Sequence, residues 1–361
     1  MANTTRAAME NHTTELSSLM TTVPADNYTQ HVVIVGLTVR FIVGLTGIFA
    51  NVFVVMMFLW ASVHKKSFTH LLLLHQSIID SIASCLFLVY YTNAAPDGPR
   101  GNIFCKTRSS FWLFAFASTY NLVILTIERY IAVVHPVTYK EKTQEKSNKR
   151  YLVIPYIIGI AIACHLAVIG NTNNQGKCYF EYRSDASQLA SGLIIFFLAW
   201  MIPSLILVVC YTYILKGLYY RARRSGTVTS GHGGNNLKMA QRSLTYTLLF
   251  VAIAFFLCWT PNYVLYLSYT ICQCFDFNSS VAHEITVILD AVNFMINPII
   301  YAFKFNDFKL AVRKFYKEYF EKSNRKHDRN IAEVESTGVA SMSKTSTRAT
   351  VSFIQQDVKN N

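Results

Sequence analysis

The chain has 361 residues, of which 52% are hydrophobic, 14% aromatic and only 15% charged, and its formal net charge at pH 7 is +13. Soluble domains carry about 25% charged residues, so this chain has too few charges to cover the surface of a soluble protein of its size. Disordered segments are poor in apolar residues and rich in charge, which excludes disorder for most of the length.

Residues 1–31 are predicted to form a polar extracellular tail, rich in Ser and Thr. They lack the basic start and short apolar core of a cleaved signal peptide, so the first apolar stretch is expected to act as an uncleaved insertion signal. Asn3, Asn11 and Asn27 begin Asn-x-Ser/Thr sequons, and a fourth begins at Asn278. Such sequons accept N-linked glycans, and all four lie on the predicted outer face.

Seven apolar stretches reach the roughly 20 residues that a helix needs to cross a bilayer. Spans one to seven are about Val32–Trp60, Leu71–Tyr91, Ser109–Val134, Tyr151–Gly170, Leu189–Leu215, Leu244–Ile271 and Val281–Phe303. The connectors are short, which favours one compact helical bundle. The sequence therefore predicts an all-α membrane protein whose residues 32–303 form a seven-transmembrane helix bundle.

Lys and Arg are unevenly distributed among the loops. The loops after spans one, three and five hold 13 of them, whereas the other three loops hold five. The positive-inside rule places the richer side in the cytoplasm, so the N-terminus is predicted outside the plasma membrane and the C-terminus inside. The charge is thus a topology signal that also attracts anionic lipids, and it is not the basic face that binding of nucleic acid requires.

Polar residues within the spans are costly in hydrocarbon and are therefore candidates for function. They are Asn51, Asp80, Ser118, Asp290, Asn293 and Asn297. The alternative is that they form helix–helix hydrogen bonds that hold the bundle together, and this stays open for Asn51. Each of spans four to seven also contains a proline, which is expected to kink its helix. These prolines are Pro155, Pro203, Pro261 and Pro298.

Four cysteines are predicted at the outer ends of the spans or in outer loops, where disulfides persist. They are Cys105, Cys178, Cys272 and Cys274. Because a bridge between residues only two apart would be strained, Cys272 and Cys274 are expected to be free thiols or to pair with other partners.

Three local motifs lie in spans three, six and seven. Glu128-Arg129-Tyr130 closes span three, Cys258-Trp259-Thr260-Pro261 lies in span six, and Asn297-Pro298-Ile299-Ile300-Tyr301 closes span seven. Together with Asn51 and Asp80, they resemble the signatures of rhodopsin-like (class A) G protein-coupled receptors. The resemblance covers about residues 32–320. The segments Glu128–Pro136 and Cys258–Asn262 are similar to the peptide-receptor branch of that family.

The resemblance implies a role for each matching residue in a two-state switch. Arg129 would be held by Glu128 in the inactive state and would be released toward a heterotrimeric G protein on activation. The other residues implied in coupling are Tyr130, Val137, Tyr211, Asn297, Pro298 and Tyr301. Trp259, with Phe255 one turn below and the Pro261 kink beside it, would be the lever of span six, and Pro203 would shape span five.

The resemblance also implies a disulfide between Cys105 and Cys178 and an allosteric sodium ion. The implied sodium ligands are Asp80, Ser118, Asn293 and Asn297, whose oxygens suit a hard cation. Phe294 departs from the pattern, because the family often has a serine there. No other cofactor and no enzymatic activity are predicted, since neither a nucleophile–base pair nor a metal-ligand cluster is apparent.

Several ligand classes are disfavoured by missing residues. Span seven holds no lysine for a retinal Schiff base, and the outer half of span three has no carboxylate for an amine. A charged rim above an aromatic cavity favours a peptide. The predicted ligand-binding residues are Phe111, Trp112, Tyr263, Tyr266, Glu284 and Asp290. A small non-amine or lipid ligand is the alternative, and a secondary transporter is the alternative of another class, although the repeats typical of transporters are not apparent.

After span seven, Phe and Tyr alternate with Lys. This pattern predicts a short amphipathic cytoplasmic eighth helix over residues 304–320, lying on the membrane surface. Residues 321–361 are predicted to be a disordered cytoplasmic tail. Its many Ser and Thr residues are candidate sites for a receptor kinase, and the added phosphates would bind arrestin.

Overall fold

The computed structural model describes residues 25–139, 148–173, 175–225, 232–275, 277 and 280–321. Within these residues, seven helical segments are long and apolar enough to cross a membrane. Their main helices are Ala25–Trp60, Phe68–Tyr91, Ser109–Val134, Ile154–Ile169, Ile202–Ser225, His232–Cys272 and Val281–Lys304. They correspond to spans one to seven, so the predicted seven-transmembrane helix bundle is confirmed.

Shorter elements extend or join the spans. A helix over Pro99–Thr107 precedes span three, and span five begins with a helix over Asp185–Ile194 and a π-helical segment over Ile195–Met201. Short 3-10 turns lie at Val63–Lys65 and Asn148–Leu152. Span three contacts spans two, four and five, and span seven contacts spans one, two and six. The spans therefore enclose a common interior.

The bundle places apolar side chains outside and polar ones inside. Leu257 is 70% exposed, whereas Asn51 and Asp80 are completely buried. Apolar side chains can face the lipid freely, but polar groups in a membrane need partners within the protein. The burial pattern is therefore the one expected of a membrane bundle.

The prolines affect their spans in different ways. Pro155 lies in the first turn of span four, where the N–H that proline lacks would have no helical partner. The expected kink is therefore wrong for Pro155. Pro203 follows the π-helical segment, in which the N–H of Ile202 bonds to the carbonyl of Phe197, five residues earlier. Pro261 and Pro298 lie inside the helices of spans six and seven.

A small antiparallel hairpin precedes span five and was not predicted. Strand β1 (Gly170–Thr172) pairs with strand β2 (Cys178–Phe180), with Thr172 opposite Cys178. Gly176 in the connecting loop has φ +69° and a backbone carbonyl 2.9 Å from where a Cβ would lie, so the turn requires glycine. The implied Cys105–Cys178 disulfide is present and ties β2 to the helix Pro99–Thr107 that precedes span three.

Cys272 and Cys274 are also joined by a disulfide, so the expectation of free thiols is wrong. Gln273 between them has φ 50°, a left-handed conformation that is uncommon for residues other than glycine. It turns the chain so that the two Cα atoms lie 5.1 Å apart, which is within the usual range for a disulfide. The prediction considered sequence separation alone and missed this turn.

A helix over residues 306–321 follows span seven, close to the predicted 304–320. The compact unit of the bundle ends at Phe308, and a second unit begins at Lys309. Within the first unit, Phe305 and Phe308 are buried and pack against Phe58 of span one. The start of this helix is therefore anchored to the bundle.

Spans three and four approach closely at Gly159. A Cβ at this position would lie 2.7 Å from the carbonyl oxygen of Leu113 and 3.3 Å from the nitrogen of Ala117. We expect Gly159→Ala to lower the stability of the bundle by about 1–3 kcal/mol, because overpacking forces the backbones apart. The measurement is thermal unfolding of the purified protein in detergent. Gly36→Ala is the control, since nothing lies within 4 Å of its Cβ, and equal losses in both variants would contradict the prediction.

Candidate functional site

An aromatic cavity opens at the end of the bundle that carries the Cys105–Cys178 disulfide, the disulfide end. Trp112, Tyr263 and Tyr266, three of the predicted ligand-binding residues, line it together with Phe180 of strand β2. Aromatic walls with a few polar groups are typical of binding sites. The structure thus brings residues from spans three and six and the hairpin into one site.

A second, more polar cavity lies at the same end. Arg108 and His283 line both cavities, so the two adjoin. Glu284, a predicted ligand-binding residue, lines the second cavity and forms a 3.1 Å ion pair with Arg40 of span one. One site therefore combines an aromatic compartment with a charged one.

A chain of hydroxyl groups holds the wall of the aromatic cavity in place. The Tyr266 hydroxyl lies 2.7 Å from that of Tyr182 and 2.9 Å from that of Ser191. Burial and the neighbouring Tyr266 raise the pKa of Tyr182 far above its usual range. Its hydroxyl therefore stays neutral and available as a donor, and it joins the loop after the hairpin to span six.

Two predicted ligand-binding residues lie beneath the cavity surface. Phe111 is completely buried and packs in a core cluster with Phe87 and Tyr91. Asp290 is also completely buried and accepts a hydrogen bond from Asn262, which lines the aromatic cavity. The Oδ1 atom of Asp290 has no hydrogen-bond partner among the described residues. Asp290 is therefore one layer behind the wall that a ligand would touch.

Trp259 is buried and contacts the aromatic cavity through Tyr263, one of the lining residues. Its ring stacks on Tyr263 at 5.7 Å and meets the ring of Phe294 edge to face at 5.8 Å. Phe255, one turn away on span six, is also buried. A change in the position of Tyr263 would therefore be passed directly to Trp259.

Asp80 is the centre of a buried polar cluster in the middle of the bundle. Its Oδ1 accepts hydrogen bonds from Ser118 at 2.7 Å and from Gln76 at 2.9 Å, and its Oδ2 accepts one from Asn297 at 2.8 Å. The cluster links spans two, three and seven. Gln76 was not among the residues predicted for this cluster, and the structure places it there.

Asn293 and Asn51 are not among the described hydrogen-bond donors to the Asp80 carboxylate. The Nδ2 atom of Asn293 has no hydrogen-bond partner within the described part of the chain. Asn51 donates hydrogen bonds of 2.9 Å to the backbone carbonyls of Gly47 and Phe294. The contacts of Asn51 therefore support the interpretation that it holds spans one and seven together.

Arg129 is held in a buried cluster at the opposite end of the bundle, the Arg129 end. Its Nε donates to Glu128 Oε2 at 2.6 Å, and its Nη2 donates to Glu128 Oε1 at 2.8 Å. Nη2 also donates to Thr69, whose hydroxyl donates to Glu128 at 2.5 Å. Tyr139 donates to the same carboxylate at 2.8 Å. Glu128 and Arg129 are thus joined at two points, by Nε and by Nη2.

Four further predicted coupling residues form no described hydrogen bond with Arg129: Tyr130, Val137, Tyr211 and Tyr301. Tyr211 and Tyr301 are buried, and their hydroxyls have no hydrogen-bond partner among the described residues. Tyr130 reaches His135 at 3.3 Å, and Val137 is 70% exposed. Two buried, unpaired hydroxyls near the polar interior are groups that a second arrangement could satisfy.

A charged cluster joins the loop after span one to the start of helix 306–321. Asp307 lies 2.6 Å from Lys66 Nζ and 2.9 Å from His70 Nε2. The hydrogen bond from His70, with the charge and hydrogen bond of Lys66, lowers the pKa of Asp307 to about 2. The carboxylate therefore remains ionised throughout the physiological range.

Sequence reasoning missed Gln76, Thr69, Tyr139, Asn262 and His283. Gln76 lies four residues before Asp80, and Thr69 lies two residues before Leu71, the predicted start of span two. No motif marks either position. His283 lies in the first turn of span seven, whose N-terminal cap is Ser280. A search for every polar residue within the spans would have found Gln76 and Asn262, but their partners follow only from the fold.

The predicted glycosylation sites Asn3, Asn11 and Asn278 lie outside the described residues. Asn27 lies at the start of the span-one helix, where its side chain is not described. The Ser and Thr residues of the predicted tail from residue 322 onward lie outside the described residues as well.

Comparison with known proteins agrees with this arrangement. Residues 50–301 match the family described as 7 transmembrane receptor (rhodopsin family). The chain is 24% identical over 284 residues to the Allatostatin-A receptor of Bombyx mori, covering 75% of this chain and 76% of that receptor. It is 26% identical over 282 residues to the Somatostatin receptor type 1 of Rattus norvegicus, covering 76% of this chain and 68% of that receptor.

The Asp307 cluster makes stability depend on pH in one direction. A carboxylate with a lowered pKa stabilises the folded state at pH values above the unfolded pKa, and this contribution is lost as the pH falls through the folded pKa. Since Asp307 is half-buried, we expect Asp307→Asn to cost about 1 kcal/mol at pH 7. The difference from the original protein should shrink between about pH 4 and pH 2.

The measurement is thermal unfolding in detergent at several pH values. Asp97→Asn is the control, because Asp97 is exposed at the disulfide end and its substitution should leave the unfolding temperature unchanged at every pH. A difference for Asp307→Asn that does not change down to pH 2 would contradict the proposed origin of this stability.

Proposed function

The chain belongs to the rhodopsin family of seven-transmembrane receptors, and we propose that it binds an extracellular peptide and activates a heterotrimeric G protein. The relatives named above are receptors whose names refer to the peptides allatostatin-A and somatostatin. The proposal therefore takes the ligand class from these relatives and from the chemistry of the cavities.

The observation that carries the proposal is the pair of adjoining cavities at the disulfide end. One compartment is aromatic and the other is polar, with Arg108 and His283 in both linings. A peptide carries apolar side chains and charged groups along one backbone, so its parts need separate partners. An aromatic side chain would fit beside Trp112 and Tyr263, and a charged group would meet Glu284 or Arg108.

We infer that ligand binding is transmitted from Tyr263 in the wall of the aromatic cavity to Trp259 beneath it. A ligand that moves Tyr263 also moves Trp259, since the two rings stack. Pro261 lies inside the same helix, where a missing backbone hydrogen bond makes a natural hinge. Movement of span six would then open the Arg129 end. There Arg129 would leave Glu128 and contact the G protein and the hydroxyls of Tyr211 and Tyr301, which have no hydrogen-bond partner among the described residues.

In this proposal the disulfide end faces the exterior of the cell and the Arg129 end faces the cytoplasm. The distribution of Lys and Arg supports that orientation. The proposed location is the plasma membrane, because a peptide ligand acts from outside the cell. The protein acts as a transducer without catalytic activity of its own. A receptor kinase and arrestin are proposed partners of the tail, and membrane lipids of the eighth helix.

The test is activation of G proteins in cells that express the chain, measured as dissociation of the G protein subunits after addition of regulatory peptides. We expect Glu284→Lys to raise the half-maximal concentration of an activating peptide about tenfold or more, because it reverses a charge in the cavity wall, and a charged hydrogen bond contributes about 1.5–3 kcal/mol. Asp97→Lys makes the same charge change at an exposed position of the same end, outside both cavity linings.

Asp97→Lys should leave the potency of the peptide nearly unchanged. Equal effects of the two substitutions would contradict the assigned site. Activation by lipids with no response to any peptide would replace the proposed ligand class. Uptake of a solute into vesicles without release of G protein subunits would contradict the receptor function.

Glu128 is expected to restrain signalling in the absence of ligand. Glu128→Gln keeps hydrogen-bonding atoms for Thr69 and Tyr139 but removes the charge that holds Arg129. We predict a severalfold rise in ligand-free nucleotide exchange, compared at equal amounts of receptor at the cell surface. Thr69→Ser retains the hydroxyl and should leave the rate unchanged. A Glu128→Gln variant with the original rate would show that this ion pair does not restrain the switch.

A further inference from the structure

The carboxamide of Gln76 lies between two of the residues that the family resemblance assigns to a sodium ion. Its Nε2 atom donates to Asp80 Oδ1 at 2.9 Å and to Ser118 Oγ at 2.6 Å. Gln76 is 2% exposed and lies one helical turn before Asp80 on span two. The nitrogen therefore occupies the position from which a cation would contact these two oxygens.

The hydrogen bonds fix the orientation of this amide. Both N–H groups of Gln76 are used, one toward the carboxylate and one toward Ser118, and Ser118 in turn donates to Asp80 at 2.7 Å. The Oε1 atom of Gln76 accepts a 2.7 Å hydrogen bond from Asn121. Rotating the amide by 180° would place its oxygen against the Asp80 carboxylate and its N–H groups against the amide of Asn121. The donors and acceptors match in only one orientation.

The other parts of the expected sodium site are also altered. Asn297 presents its Nδ2, a donor, to Asp80 Oδ2, whereas a hard cation needs oxygen ligands; its Oδ1, which has no hydrogen-bond partner among the described residues, is the amide atom that does not face the carboxylate. Asn293 forms no described hydrogen bond with the carboxylate. Phe294, where the family often has serine, is completely buried and packs between Trp259 and Phe111. The residues present therefore do not fit the sodium ion that the resemblance implies.

We propose that the Gln76 carboxamide takes the place of the sodium ion, so that the resting bundle of this receptor is stabilised by an amide of its own chain and does not respond to sodium. A bound ion can leave the site and its occupancy depends on concentration, whereas Gln76 is always present. The Asp80 cluster then has three donors that belong to the protein, from Gln76, Ser118 and Asn297. The Gln76 amide lies against both Asp80 Oδ1 and Ser118 Oγ, so sodium cannot bind these two oxygens together while the amide is in place.

The experiment is thermal unfolding of the purified full chain in detergent, with sodium chloride compared to potassium chloride at equal concentration. An ion that binds only the folded state raises the unfolding midpoint as its concentration increases. We expect the original protein to unfold at the same temperature in both salts. Gln76→Ala, which removes the amide and opens its space, should acquire a midpoint that rises with sodium and not with potassium.

Three further variants make the outcome specific. Gln76→Ala combined with Asp80→Asn should lose the acquired sodium response, because the carboxylate that would bind the ion is gone. Ser77→Ala is the matched control, since Ser77 is the next buried residue of span two and its hydroxyl has no partner among the described residues. The unfolding midpoint of Ser77→Ala should not change with sodium. Gln76→Leu keeps nearly the original volume and should respond less than Gln76→Ala.

A sodium-specific rise of the midpoint in the original protein that Asp80→Asn abolishes would overturn the proposal, and this comparison decides it even where Gln76→Ala does not fold. A folded Gln76→Ala variant with no sodium response would also overturn it. Because no ligand is used, these results are independent of the ligand class proposed above.

Discussion

A carboxylate in the middle of a membrane-spanning bundle has no bulk water around it, so the protein must supply its hydrogen-bond donors. Asp80 obtains them from Gln76 on its own span, Ser118 on span three and Asn297 on span seven. Because each donor comes with a helix, satisfying one charge also fixes how three helices pack. Asn121 extends the cluster from Gln76 to His75, at 3.0 Å. The polar interior is thus a structural constraint as well as a site of change.

The same constraint explains why the bundle can have two arrangements. The buried hydroxyls of Tyr211 and Tyr301 and the Oδ1 atom of Asp290 have no hydrogen-bond partner among the described residues, and each such group carries a cost. In contrast, Arg129 is fully engaged by Glu128 and its neighbours. An arrangement that pairs the tyrosine hydroxyls at the expense of the arginine cluster exchanges one set of interactions for another. Such near-balance is what a ligand needs in order to shift a population.

The sequence predicted the seven spans, the eighth helix and the Cys105–Cys178 disulfide, because hydropathy over about 20 residues and motifs at matching positions are strong local signals. It could not predict that Gln76 reaches Ser118, since this contact depends on the packing of two spans. The Cys272–Cys274 bridge depends on the left-handed conformation of Gln273, which sequence separation does not reveal. Phe111 and Asp290 lie on spans that do face the interior, but their depth below the cavity follows only from the structure.

The central claim is that the chain crosses the membrane seven times and so carries its binding cavities and its arginine cluster on opposite sides. Epitope tags at the two ends of the chain test it directly, by antibody labelling of cells before and after permeabilisation. The account predicts that the N-terminal tag is labelled on intact cells and that the C-terminal tag is labelled only after permeabilisation. Labelling of both tags under the same condition would mean an even number of crossings and would contradict the account.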